Sequence, residues 1–322
     1  MMKFMVAALL AAHALLGSEP SHAQGSYPSR PVKIVSGFPA GTSADIMARI
    51  YAQKLSEKFG QQFVVENRLG ASGNLAAEAV ARSDADGYTL LLGTVANSIS
   101  ASAFKNISYD FGRDFAPIAV VSSAPNILVV SESTGVSSVS GLIKLAKERK
   151  DEMFFGSAGV GTAPHLSGEL FNMMAGVKLT HVAYRGNSQG LVDLLSGRLQ
   201  AIFAPAPTLA AFVQDSRVKA LAVTTAQRSN QFPNLPTMAE SGLSGFDTSI
   251  WYGFLAPRGT SPEILKRIAD ALVETEGMAD VQAQLHRNGA ERLSIVLDKF
   301  GAFIHQDIEK WRKAVQFAGI MD

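Results

Sequence analysis

Small, hydroxyl-bearing residues between the end of a β-branched run and the start of a helical pattern make anion sites, and this sequence has four such places. The first N–H groups of a helix have no intrahelical acceptor, and the positive end of its dipole faces the preceding loop. Carboxylate or phosphate is therefore the favoured guest. The fullest copy reads Ile34-Val35-Ser36-Gly37-Phe38-Pro39-Ala40-Gly41-Thr42-Ser43-Ala44-Asp45; the others cover residues 93–98, 156–165 and 184–189. Asp45 falls in the first helical turn, where a carboxylate suits the dipole, and is assigned as a structural cap. Phe38, its neighbour Pro39 stiffening the backbone, serves either the core or a ligand's face. Singly, each loop is a turn with a capping side chain; jointly, they are candidates for one binding site.

Catalytic and metal chemistries fit these residues less well. A nucleophile elbow needs Gly-x-Ser-x-Gly after a strand, but Phe155 stands where the first glycine should be, before Gly156-Ser157-Ala158-Gly159. Ser157 with His165 can still be drawn as a serine hydrolase dyad, a remote alternative with no acid to orient the histidine. Gly159-x-Gly161-x-x-Pro164 fails the dinucleotide fingerprint at its third position, and no phosphate-loop motif occurs. Beyond residue 23 the histidines are His165, His181, His286 and His305, none at metal-ligand spacing. Asp84 and Asp86 are explained by an Asp-x-Asp-Gly turn. No cofactor and no metal is expected.

The elements that must position the four loops alternate strand and helix for most of the chain, which predicts α/β architecture with largely parallel sheets. Strands are expected at 32–36, 63–66, 88–93, 153–157, 178–184, 199–203, 218–225 and 250–256. Helices are expected at 43–59, 74–82, 140–149, 163–175, 188–195 and over most of 262–278, 279–288 and 297–318. Residues 115–130 read as a double strand interrupted at 122–126, and 228–249 as a long irregular connection. The simplest division is a discontinuous lobe of 27–124 plus 228–322 with a second lobe, 125–227, inserted into it. Two crossings make a two-segment hinge, and in open parallel sheets the loops leaving the strand ends share one edge, so the cleft between lobes is the natural site.

With 322 residues, 18% charged and a net charge of +1, the chain offers no basic surface for nucleic acid or an anionic membrane. It has no cysteine, hence no disulfide framework. Residues 1–23 read as a secretory signal peptide: Lys3, an apolar run from Phe4 to Leu16 too short to span a bilayer, and Ser21-His22-Ala23 as the cleavage site. A soluble, periplasmic, monomeric product is expected.

In order and spacing, these motifs resemble one family: the periplasmic solute receptors of tripartite tricarboxylate transporters, the Bug or TctC-like binding proteins. The resemblance is carried by Arg30-Pro31-Val32-Lys33, Phe38-Pro39-Ala40-Gly41 with Asp45, Val65-Glu66-Asn67-Arg68, Asp86-Gly87-Tyr88, residues 156–162 with His165, His181-Val182 with Tyr184-Arg185-Gly186, and Trp251-Tyr252-Gly253. It implies a two-lobed Venus-flytrap fold, type II-like, that docks a small organic acid on one lobe and closes the other over it. The implied ligand-binding residues are Phe38, Ala40, Gly41, Thr42 and Ser43 in the first loop, faced by Ser157, Ala158, Gly161 and Thr162. Thr94, Asn97, His165, Tyr184, Arg185 and Asn187 are further wall candidates. The implied partners are the carboxylate and the transporter's membrane subunits, with signalling to a membrane sensor kinase as the alternative. The chain departs from the family at Thr42, where a second glycine is usual, at Ala183, where proline is common, and at Ala204, where many relatives carry aspartate. A ligand ammonium would lose its counter-ion at Ala204, so an aromatic or medium-length mono- or dicarboxylate is expected rather than an amino acid.

Overall fold

The structure is a computed structural model that describes residues 27–104, 106–149, 152–209, 212 and 215–319. The expected signal peptide lies outside the described residues. Among those residues no helix is long and apolar enough to cross a membrane.

The first sheet is built from β1 (Val32–Ser36), β2 (Phe63–Asn67), β3 (Thr89–Thr94), β4 (Phe115–Ser131), β9 (Ser249–Pro257) and β10 (Glu291–Val296), in the order β2-β1-β3-β9-β4 with β10 on β4. Around it pack α1 (Ser43–Phe59), α2 (Asn74–Ala81), α3 (Val95–Ala103), α8 (Pro262–Glu276), α9 (Ala279–Arg287) and α10 (Asp298–Ala318). The second sheet takes β4 again, with β5 (Phe154–Ser157), β6 (Thr180–Ala183), β7 (Ala201–Pro205) and β8 (Val218–Val223), in the order β4-β7-β5-β6 with β8 on β4. Its helices are α4 (Val139–Glu148), α5 (Ala163–Ala175), α6 (Asn187–Leu195) and the single turn α7 (Ala206–Leu209).

Two expectations about the sheets are corrected. The pairings β1–β2, β1–β3, β5–β6 and β5–β7 are parallel, but every pairing of β4 and β9 is antiparallel, so the centre of the molecule is not the largely parallel sheet expected. These are the strands next to the crossing, and they run against their neighbours. The interruption expected at residues 122–126 is also absent: β4 is continuous. Its first part pairs with β9 as far as Pro125↔Ser249, and from Asn126↔Pro205 onward it pairs with β7. Pro125 and Asn126 thus mark a change of sheet rather than a break. Asn126 donates its backbone N–H to Thr224 Oγ1 (3.1 Å) and its side-chain amide to Ser167 Oγ (3.3 Å); Ser167 is 2.8 Å from Thr248 Oγ1. The edge strand β10 was not foreseen.

Strand alternation divides the second sheet's two faces. Leu128, Val130 and Phe203 join Phe155 and Phe171 on one side; Ile127, Val129, Ile202 and Ala204 join Leu191 and Leu194 on the other. The irregular segment after β8 packs here too, with Met238, Leu243 and Phe246 in the first of these clusters and Phe232 and Leu235 against the second. The core of the first sheet centres on Ile34, Met47, Tyr51, Leu90, Trp251, Phe254 and Trp311, and takes in Ala163 and Leu166 from the start of α5.

Candidate functional site

A cavity of about 730 Å³ lies between the two sheets, and the N-termini of α1, α3, α5 and α6 all contribute to its wall. Each of these helices is at least two turns long, so each brings open N–H groups and the positive end of a dipole.

The first loop is held from behind. Asp45 accepts from the Gly41 N–H (2.9 Å), Asn67 Nδ2 (2.9 Å) and Arg49 Nε (3.0 Å), while Asn67 also donates to the Phe38 carbonyl (2.9 Å). Burial alone would raise the Asp45 pKa, but these donors hold it below the usual carboxylate value. Asp45 braces the loop from behind by taking up the Gly41 N–H, while the N-cap of α1 is Thr42, whose Oγ1 accepts from the Asp45 N–H. The N–H groups of Ser43 and Ala44, first in α1, are those left without an intrahelical acceptor.

The second lobe repeats this construction. Thr42 Oγ1 donates to the Pro39 carbonyl and Thr162 Oγ1 to the Gly159 carbonyl, both at 2.7 Å. Gly41 N–H reaches the side chain four residues on, and Gly161 N–H likewise reaches Nδ1 of His165 (3.1 Å). Both glycines have positive φ, 78° and 74°, which a side chain would strain. The shared pattern Gly-Thr-x-x-Asp and Gly-Thr-x-x-His is visible in the sequence but was not recognised there as a repeat.

Of the expected site residues, Phe38, Ala40, Gly41, Thr42, Ser43, Thr94, Ala158, Thr162, Tyr184, Arg185 and Asn187 line the cavity. The others do not. Asn97 is the capping partner of α3, accepting from the Thr94 N–H (3.0 Å). Gly161 and His165 hold each other behind the loop. Ser157 is fully buried, and its histidine partner is His181 (Oγ to Nε2, 2.7 Å), not His165, whose Nδ1 is occupied; the dyad drawn as a remote alternative is not formed. His181 stacks on His165 with ring centroids 3.8 Å apart. Ala204 is 0% exposed and faces the aliphatic cluster on the outer side of its strand, so it is no part of the wall.

The cavity also has walls not named in advance: the turn 69–73, Pro205, Thr208, Ile250 and Tyr252. The register Thr94↔Tyr252 places Tyr252 over the start of α3. At 1% exposure, it sets its hydroxyl beside Ser43 without completing a hydrogen bond, and burial pushes its pKa up, so it stays a phenol. Trp251-Tyr252-Gly253 was conspicuous in the sequence, yet only the strand register gives Tyr252 a role. Tyr184 donates to Asp193 Oδ2 (2.8 Å); burial first, then Asp193, pushes its pKa up to about 12. One hydrogen bond spans the cleft mouth directly, from Ser72 Oγ to the Val160 carbonyl (2.9 Å). Among the described residues no group of three metal-ligating side chains is placed to hold an ion.

Comparison with known proteins agrees with this architecture. A family model described as tripartite tricarboxylate transporter family receptor matches residues 47–320. Protein BugT of Bordetella pertussis is 33% identical over 296 residues, 91% of each chain. The R. palustris protein Rpa4515, solved with adipate, is similar with a TM-score of 0.87 at 37% identity, covering 91% of this chain and 98% of that one. The periplasmic binding protein BugD matches with a TM-score of 0.84 at 31% identity, over 92% and 99%. The two sheets around a shared crossing strand are the two-lobed fold of periplasmic binding proteins, and the chain belongs to the receptor family of the tripartite tricarboxylate transporters.

Proposed function

We propose that this protein is a periplasmic receptor that closes on a small organic carboxylate, an aromatic or medium-length mono- or dicarboxylate, and presents it to the membrane subunits of a tripartite tricarboxylate transporter. The observation that carries the reading is the convergence of four helix N-termini on one cavity whose wall, among the described residues, contains no acidic side chain. Backbone donors then meet a carboxylate, and an ammonium group finds no counter-ion. This replaces the argument from Ala204, which lies off the wall. The volume suits a small molecule, and adipate in the related Rpa4515 is a ligand of the class proposed. The lobes are taken as 27–124 with 249–322, and 125–248, because the segment 228–248 packs on the second sheet. Residues 1–23 are taken as the export signal, cleaved after Ala23.

A thermal-shift screen tests this on protein refolded free of ligand, with adipate, shorter and longer diacids, aromatic acids and amino acids. A ligand that binds the folded state alone raises the melting temperature by mass action. The expected result is stabilisation by an acid that is recovered unchanged. An amino acid as the best stabiliser, or consumption of the acid, refutes the reading.

A further inference from the structure

Among the described residues, the wall of the cavity carries a single charged side chain, that of Arg185. Among the described residues no acid pairs with it, although the next arginine along the chain, Arg198, is bound to Asp193. Asp193, the acid of α6, is already shared between Arg198 and the Tyr184 hydroxyl. Arg185 stands just before α6, whose N-terminus has no side-chain cap. Asn187, the first residue of that helix, is 8% exposed, lines the same wall, and has a side-chain oxygen without a hydrogen-bond partner. The opposite wall is different in kind. Its donors are the neutral N–H groups at the start of α1, and the cation behind them, Arg49, is neutralised by Asp45. The cavity thus has a neutral donor end on the first lobe and a cationic end on the second.

We infer that Arg185 is a specificity-determining residue: it makes the receptor select acids with an anionic group at both ends, one on the α1 loop and one on Arg185 beside the α6 N-terminus. A guanidinium grips a carboxylate through two parallel hydrogen bonds, so the second group gains both charge and geometry. The inference rests on the carboxylate reading above and adds the number of charges.

The test is calorimetric titration of the linear four- to eight-carbon α,ω-diacids and the monoacids of the same lengths into the wild type, Arg185→Gln and Arg185→Lys. The wild type is expected to bind its best diacid at least tenfold tighter than the matching monoacid. Arg185→Gln is expected to collapse that ratio towards one, and Arg185→Lys to retain part of it; Arg185 is exposed, so circular dichroism should show both variants folded. A ratio unchanged in Arg185→Gln, or a wild type that prefers monoacids, overturns the inference and leaves the carboxylate reading standing. If no acid of either series and none of the wider carboxylate panel binds, the carboxylate reading falls, and this inference with it.

Discussion

His181 should make the fold sensitive to acid, and substituting it should remove that sensitivity. The ring is half-buried, stacked on His165 at 3.8 Å and packed 5.0 Å from Phe155, with Nε2 2.7 Å from Ser157 Oγ. Burial first, then repulsion from His165, pushes its pKa down to about 3. In the unfolded chain the imidazole titrates near its ordinary value of about 6.5. Between these values the unfolded state binds a proton that the folded state refuses. Stability is therefore full above about pH 6.5 and falls as the pH drops towards 3. From pH 7 to 5 the full effect is about 2 kcal/mol, at about 1.4 kcal/mol per pH unit below 6.5. Solvent screening of a ring that is only half-buried reduces this to about 1 kcal/mol. Urea unfolding of wild type and His181→Gln at pH 7 and 5 measures it, since groups not coupled to His181 contribute equally to both proteins. The wild type should lose about 1 kcal/mol more than the variant over that interval. Equal losses would refute the argument.

Four further substitutions test the loops. Gly41→Ala should cost about 1 kcal/mol through backbone strain alone, because φ is 78° and nothing lies within 4 Å of the added carbon. Gly161→Ala should cost more, since its added carbon meets the Phe104 ring at 3.3 Å; chemical denaturation of both reads the difference, and a reversed order contradicts it. Ser72→Ala removes the hydrogen bond across the cleft mouth, worth about 1 kcal/mol, so ligand should leave about fivefold faster in stopped-flow displacement; an unchanged rate contradicts it. Thr42→Gly should destabilise by only a few tenths of a kcal/mol, because glycine is itself a fair N-cap, yet should change affinity for the ligand measurably; an unchanged affinity would place Thr42 outside the contact.

The local grammar of the fold was legible in the sequence. The strand at β1 and the limits of α1 and α5 all follow from β-branched runs, small hydroxyl-bearing starts and apolar periodicity, which act within a few residues. What was not legible depends on distant partners. Ser122, Pro125 and Asn126 look like a break in a strand, but the Asn126 N–H is satisfied by Thr224, 98 residues away, so the strand continues. The site divides in the same way. Thr42, Thr162 and Asn187 announce themselves as helix starts, whereas Tyr252 reaches the cavity only through the register of β9 on β3. Ser157, His165 and Ala204 were assigned to the ligand from the family resemblance, but their side chains turn to the other side of the loop or strand. There Ser157 meets His181, His165 meets Gly161, and Ala204 meets the aliphatic cluster.

The unbroken β4 determines how the molecule can be taken apart. Its first part lies against β9 and β10 and its second between β7 and β8, so it sits inside both sheets rather than linking their edges. Cutting the chain at Pro125 would leave each sheet its own part of the strand, since the first pairs as far as Pro125 and the second from Asn126. The lobes are joined by packing instead, because the core of the first sheet takes in Ala163 and Leu166 from α5, so opening the second lobe exposes part of the first. Calorimetry should therefore record a single transition, and a ligand held in the cleft should slow amide exchange in the outer strands β2 and β6 alike, although neither contributes to the cavity wall.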